Sequence, residues 1–276
     1  MAGRTRKIIS AVMAALMIMA AGGCGSSNKE IPSSADNSRY VSETKDNGNV
    51  TDGKEYDIDN GGLPYDEETV YNQLFDINNK VEIDVDISDD ELAKMQSDYN
   101  RYDNMGSKSP IYRKCDLKIS ITSDGVKNTY IIRNTGIRMK GNTSRTAFYD
   151  SNSGVYSLIH FKVDFTETFD DEQYYGGDSD YDLDIDKEKQ QNRTFATLDS
   201  MEIKWNQTSD STYVREYYAC EMYRDFGILA QRTNLASINL GDVHEGIFKI
   251  YEPVDKKFIK RYVAEEDRGG DLYKCG

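Results

Sequence analysis

Apolar and polar residues alternate along several short stretches of the chain, and a period of two is the signature of strands buried on one face. In VEIDVDIS, Val81 to Ser88, aliphatic residues alternate with acids, and SDDELAKMQSDY places Ser88 as an N-cap with Glu91 three positions on. A strand followed by a capped helix is predicted. CDLKISITSDGVKNTYIIRNTGIRMKG carries two alternating runs around Ser123-Asp124-Gly125, which signals a hairpin. YSLIHFKVDF, Tyr156 to Phe165, predicts another strand, with Ile159, Phe161, Val163 and Phe165 on one face and His160, Lys162 and Asp164 on the other.

Met201, Ile203 and Trp205, set against Glu202 and Lys204, predict a short strand, and Asp210 or Ser211 stands where it can cap a helix that Gly227 ends. From Tyr213 to Phe226 that helix is apolar or aromatic at nine of fourteen positions, too wide a stripe for one buried face. It is expected to be covered on two sides. It also carries Arg215 and Glu216, ionisable groups that a covered helix holds only with partners. TNLASINLG and HEGIFKIYEPVDKKFIKRY add two strands around Gly241, the second running into Glu252 and Pro253. The class is α+β: a mostly antiparallel sheet with a packed helix, preceded by a strand-helix unit.

Globular patterning begins near Tyr65. Gly25 to Leu63 is rich in Ser, Asn, Asp and Gly with almost no aliphatics, too little apolar surface to offset ordering entropy, so residues 24–64 are expected to be a flexible polar linker. At the N-terminus Arg4, Arg6 and Lys7 precede an apolar run from Ile8 to Ala21 and then Gly22, Gly23 and Cys24. This is the layout of an export signal over 1–23, too short to span a membrane comfortably. The ending resembles a bacterial lipoprotein box, which implies acylation of Cys24 and an extracytoplasmic chain anchored to the bacterial cell membrane. Cys115, Cys220 and Cys275 remain, with no metal or disulfide framework in their spacing.

The chain of 276 residues has a formal charge of −14, with 34 basic against 48 acidic side chains, which argues against a phosphate-tracking nucleic-acid surface. Against that background GIRMKGNTSR, Gly136 to Arg145, concentrates Arg138, Lys140 and Arg145 around a small polar turn. On these residues alone such a cluster usually only turns the chain, with its cations solvated, and an anion site built from free backbone N–H groups and flanking cations is the alternative. Asp178, Asp180, Asp182, Asp184 and Asp186 alternate, but Leu183 stands where a calcium loop needs Gly and Lys189 where it needs a bidentate Glu. The segment is expected to be a solvated acidic insertion, with weak calcium binding as the alternative and no metal site assigned.

The element order is strand, Gly-containing turn, strand, strand with Lys204, helix with Glu216, strand, strand and a polar break at Glu252, which is the order of a protein-kinase N-lobe. The blocks VEIDVDISDDEL, GIRMKGNTSR, FKVDF, MEIKWN, VREYYACEMYRDFGI, QRTNLASINLGDVHEGIFKIYEPVDKKFIKRY and GDLYK resemble, in order over residues 65 to 276, the CotH kinase family of spore coat protein H-like atypical kinases. The resemblance implies a kinase-like fold, ATP with Mg²⁺, and phosphate transfer to spore coat or cell-surface proteins. It implies that Gly141, Asn142 and Arg145 form a phosphate-facing turn beside Arg138 and Lys140. It also implies that Lys204, or its rival Lys162, holds phosphate near the Arg215-Glu216 pair, and that the Ile250 to Glu252 backbone reads adenine. The expectation is a truncated kinase domain, its C-terminal helical lobe missing and the fragment inactive alone. The alternative is a membrane-anchored surface lipoprotein that binds or assembles coat without phosphotransfer.

Overall fold

The computed structural model describes residues 50–59, 65–141, 145–150, 155–206, 212–241, 243–270 and 272, all within Gly48–Gly276, one of two units into which the chain divides. The readings placed on the export signal, Cys24, Asn142, Asp210 and Ser211 lie outside the described residues. The elements run β1 (Thr51–Asp57), α1 (Glu67–Leu74), β2 (Lys80–Asp86), α2 (Asp89–Asn104), β3 (Arg113–Ser123), β4 (Val126–Lys140), β5 (Tyr149–Asp150), β6 (Val155–Tyr156) and β7 (His160–Asp164). After these come α3 (Glu172–Tyr175), α4 (Lys187–Gln191), β8 (Ser200–Trp205), α5 (Arg215–Asp225), β9 (Thr233–Leu240), β10 (Val243–Tyr251) and α6 (Lys256–Tyr262). The fold is α+β, as the periodicity predicts.

Local signals act where the sequence puts them. The Ser88 hydroxyl accepts from the Glu91 N–H at 3.3 Å and starts α2, satisfying one of the donors a helix N-terminus leaves free. Asp124 and Gly125 turn the chain between β3 and β4 with φ of 51° and 76°, the left-handed pair that a tight two-residue hairpin requires.

The eight-stranded sheet has the order β1-β4-β3-β2-β9-β10-β8-β7, and β4 also pairs with β7. That extra pairing closes the strands from β4 to β7 into a ring, with β1 outside it. Closure is possible because β4 is fifteen residues long: Val126 to Ile131 pairs with β1, while Gly136 to Lys140 pairs with β7 on the same edge. β1–β4 and β2–β9 run parallel; the other pairings of this sheet are antiparallel. Ile83, Leu117, Ile119, Ile132, Val163, Met201, Ile203, Ile238 and Ile250 fill the interior at 1% exposure or less, so the face opposite them is left for polar side chains.

Three expectations change. β1 lies inside the stretch read as linker; its side chains are mostly exposed, and it is held by main-chain pairing to β4 and by Tyr56 stacked on Tyr130 at 5.1 Å, so aliphatic patterning could not announce it. The acidic segment is packed: Tyr175 and Tyr181 bury with Ile111 and Phe169, while Asp178 and Asp180 take the Lys94 ammonium at 3.0 and 3.1 Å. Its acids conceal an aromatic inner face. Helix α5 lies against β9 with no buried residue of its own, and Tyr218, Met222, Tyr223 and Phe226 are exposed; among the described residues it is covered on one side only.

Candidate functional site: a cationic sheet face

Since Phe161, Ile203, Phe248 and Ile250 point into the core, alternation turns Lys162, Glu202, Lys204, Lys249 and Tyr251 to the opposite face. Register then lines them up. Arg138 on β4 stands opposite Lys162 on β7, Lys162 opposite Glu202 on β8, and Glu202 opposite Tyr251 on β10. One step along, Lys140 faces His160, and Lys204 faces Lys249. Cations outnumber carboxylates on this face of an acidic chain.

Most of these charges are already paired. Lys140 forms an ion pair with Glu202. Lys162 meets Asp164 at 3.3 Å and lies 5.9 Å from the centre of the Tyr112 ring. Burial pulls the Lys162 ammonium down, but Tyr112 and Asp164 outweigh it and hold the group above its usual range. Arg138 donates to the Ser109 carbonyl at 3.2 Å and stacks 4.9 Å from the Tyr112 ring centre. Arg145 donates to the Ser107 carbonyl at 2.7 Å and lies 3.8 Å from Asp103, at the end of α2 rather than in the row. Gly141 has φ of 127°, a conformation that L side chains rarely adopt, which accounts for glycine at the exit from β4.

Helix α5 brings Glu216 down on this face, with Arg215 exposed beside it. The Glu216 carboxylate accepts from Lys249 at 3.0 Å and from the Tyr251 hydroxyl through the same oxygen. Burial works to raise the Glu216 carboxyl, but Tyr251, Lys249 and the Lys204 charge together hold it below the usual range. Burial and the adjacent Glu216 push the Tyr251 phenol far upward. Lys204 takes no carboxylate: among the described residues it has no ion pair, and its ammonium sits 3.9 Å from the centre of the Tyr251 ring. The sequence places Lys204 on the strand feeding the Glu216 helix, whereas the carboxylate itself meets Lys249, which sequence reasoning misses. Its signal was present, because alternation through FKIY places Lys249 and Tyr251 on one face.

Glu252 is separate from this row. Its side chain is fully buried in an ion pair with Arg261 and accepts from the Tyr262 hydroxyl at 3.1 Å and the Arg232 N–H at 3.3 Å. Its own N–H donates to the Arg232 carbonyl at 3.0 Å. The side chain therefore fastens α6 to the end of the sheet.

The fold and this face define an α+β protein with a cation-lined sheet face under a glutamate-bearing helix. Residues 137–276 match the family described as CotH kinase protein, and the chain belongs to that family. Membership carries a kinase-like function at the family level. The curated proteins contain no match to the chain.

Proposed function

We propose that this face binds ATP, as the nucleotide-holding lobe of a protein kinase that phosphorylates coat or cell-surface proteins. The observation that carries the reading is Lys204: it stands on the third of the strands β4, β7 and β8, is followed in element order by the helix bearing Glu216, and has no carboxylate of its own among the described residues. In protein kinases a third-strand lysine holds the nucleotide phosphates and a glutamate of the next helix pairs with it; here Glu216 pairs with Lys249 instead, so Lys204 is assigned from its strand and its uncommitted charge and departs from that pairing. Lys204 and Arg138 supply charge at the end of the sheet face where β4 gives way to Gly141. The donor set fits phosphate. It does not fit Mg²⁺, because Glu202 and Glu216 are each bound to a lysine, so no step is assigned to the metal.

Titration of the purified chain with a fluorescent ATP analogue tests this. Lys204→Ala should weaken binding about tenfold or more, the loss of a charged hydrogen bond, and Lys162→Ala should change it by less than about threefold because Lys162 already serves Asp164. A chain that binds no nucleotide, or equal loss from both variants, overturns the assignment. We also propose an extracytoplasmic location through a lipid on Cys24; the support is the cationic, apolar and small-residue succession that leads into that cysteine.

A further inference from the structure

Lys204 and Lys249 are direct cross-strand partners on one face of an antiparallel pair, where like charges repel. Among the described residues Glu216 is the carboxylate that feels both ammonium charges, and each lysine could compete for it. The observed outcome is asymmetric. Lys249, only 7% exposed, takes Glu216 at 3.0 Å. Lys204 instead lies over the ring of Tyr251, 3.9 Å from its centre, while the hydroxyl of that same tyrosine donates to Glu216. Tyr251 is 2% exposed, so its ring is held in place beneath the Lys204 ammonium. A tyrosine here meets two needs: its face attracts an ammonium without neutralising it, and its hydroxyl donates to the carboxylate.

We propose that Tyr251 is a positioning residue that sorts these lysines, fixing Lys249 on Glu216 and keeping Lys204 free of carboxylates for a ligand phosphate. This rests on the nucleotide reading for the identity of the ligand; the sorting of the lysines does not. Removal of the aromatic face leaves Lys204 to compete for Glu216, so that the ammonium needed by phosphate becomes paired within the protein.

Reductive ¹³C-methylation of the lysines, with the Lys204 signal assigned through Lys204→Arg, reads the arrangement directly, because a methylated ammonium over a ring is shifted upfield. The expected result is an upfield Lys204 signal that survives Tyr251→Phe and returns to the position of exposed lysines in Tyr251→Leu. Because Tyr251 is buried, incorporation of pentafluorophenylalanine at this position provides a shape-conserving version whose face repels cations; it should also release the signal. In parallel, affinity for the fluorescent ATP analogue should be kept within about twofold by Tyr251→Phe and fall about fivefold with the fluorinated ring, the upper end of the scale for a partly exposed cation–π contact. An unshifted Lys204 signal in the unaltered chain, or one that persists over the fluorinated ring, overturns the proposal. A shifted signal in a chain that binds no nucleotide overturns the proposed function while supporting the sorting of the lysines.

Discussion

Replacement of Arg261 by Met should destabilise the chain by about 3 kcal/mol, at the lower end of the range for breaking a buried ion pair from one side. The Glu252 carboxylate has no exposure, so without Arg261 its charge has no water to turn to. Two neutral donors remain to moderate the loss, the Tyr262 hydroxyl at 3.1 Å and the Arg232 N–H at 3.3 Å. Arg261 also stacks 4.0 Å from the Tyr71 ring centre, and Met retains part of that contact through its apolar stem. For a folded unit of this size, about 3 kcal/mol corresponds to a fall of about 6–12 °C in Tm. Urea unfolding monitored by tryptophan fluorescence measures the change, since Trp205 is the single tryptophan and lies in the same sheet. Glu252→Gln with Arg261→Met should be less destabilising than the sum of the two single changes, because the double variant strands no charge. A loss under about 1 kcal/mol for Arg261→Met, or strict additivity, would refute the view that this pair fastens α6 to the sheet.

Glu82 carries a pH-dependent contribution. Burial alone raises its carboxyl, but Lys127 at 3.0 Å and Lys80 at 3.2 Å outweigh burial and lower it. A carboxyl lowered on folding stabilises the fold at neutral pH and loses that contribution as pH falls through its depressed range. Lys127→Met should therefore cost under about 1 kcal/mol at neutral pH, and paired urea titrations should find the difference shrinking toward about pH 3. A difference independent of pH would refute the linkage. For Cys24, the unaltered chain should partition with membranes, and Cys24→Ser should release or misprocess it; recovery of the unaltered protein as a soluble, unlipidated secreted form refutes the anchor.

Legibility in the sequence followed local physics. β2, β7 and β8 show period-two alternation because one face is core and the other polar, and α2 announces its start through Ser88. β10 is different: Phe248, Lys249, Ile250 and Tyr251 are all buried, with Glu216 of α5 meeting Lys249 and Tyr251 on the face opposite the core, so alternation marks the face Lys249 shares with Tyr251 but not the distant carboxylate that pairs with it. β1 is legible only through its partner, because a polar strand held by main-chain bonds carries no apolar period. The acidic segment misleads by composition, as many exposed acids outweigh a few tyrosines whose burial depends on a distant helix. The cationic row was half visible: GIRMKG marks Arg138 and Lys140, whereas the register joining them to Lys162, Glu202 and Tyr251 is set by strand pairings that no local window contains.

The parallel pairing of β2 with β9 also orders events in time. Glu82 to Val85 pairs with Ser237 to Leu240, so a strand near the start of the folded unit waits for one made close to its end. The β2-β3-β4 meander can form early from neighbouring residues, but its apolar face and the free edge of β2 stay open until β9 arrives. Contacts of such sequence separation are slow to close, and unpaired edges attract other chains meanwhile. The chain should therefore fold late and nearly all at once, and ribosome-stalled chains ending before Thr233 should remain sensitive to protease while chains that include β10 become resistant.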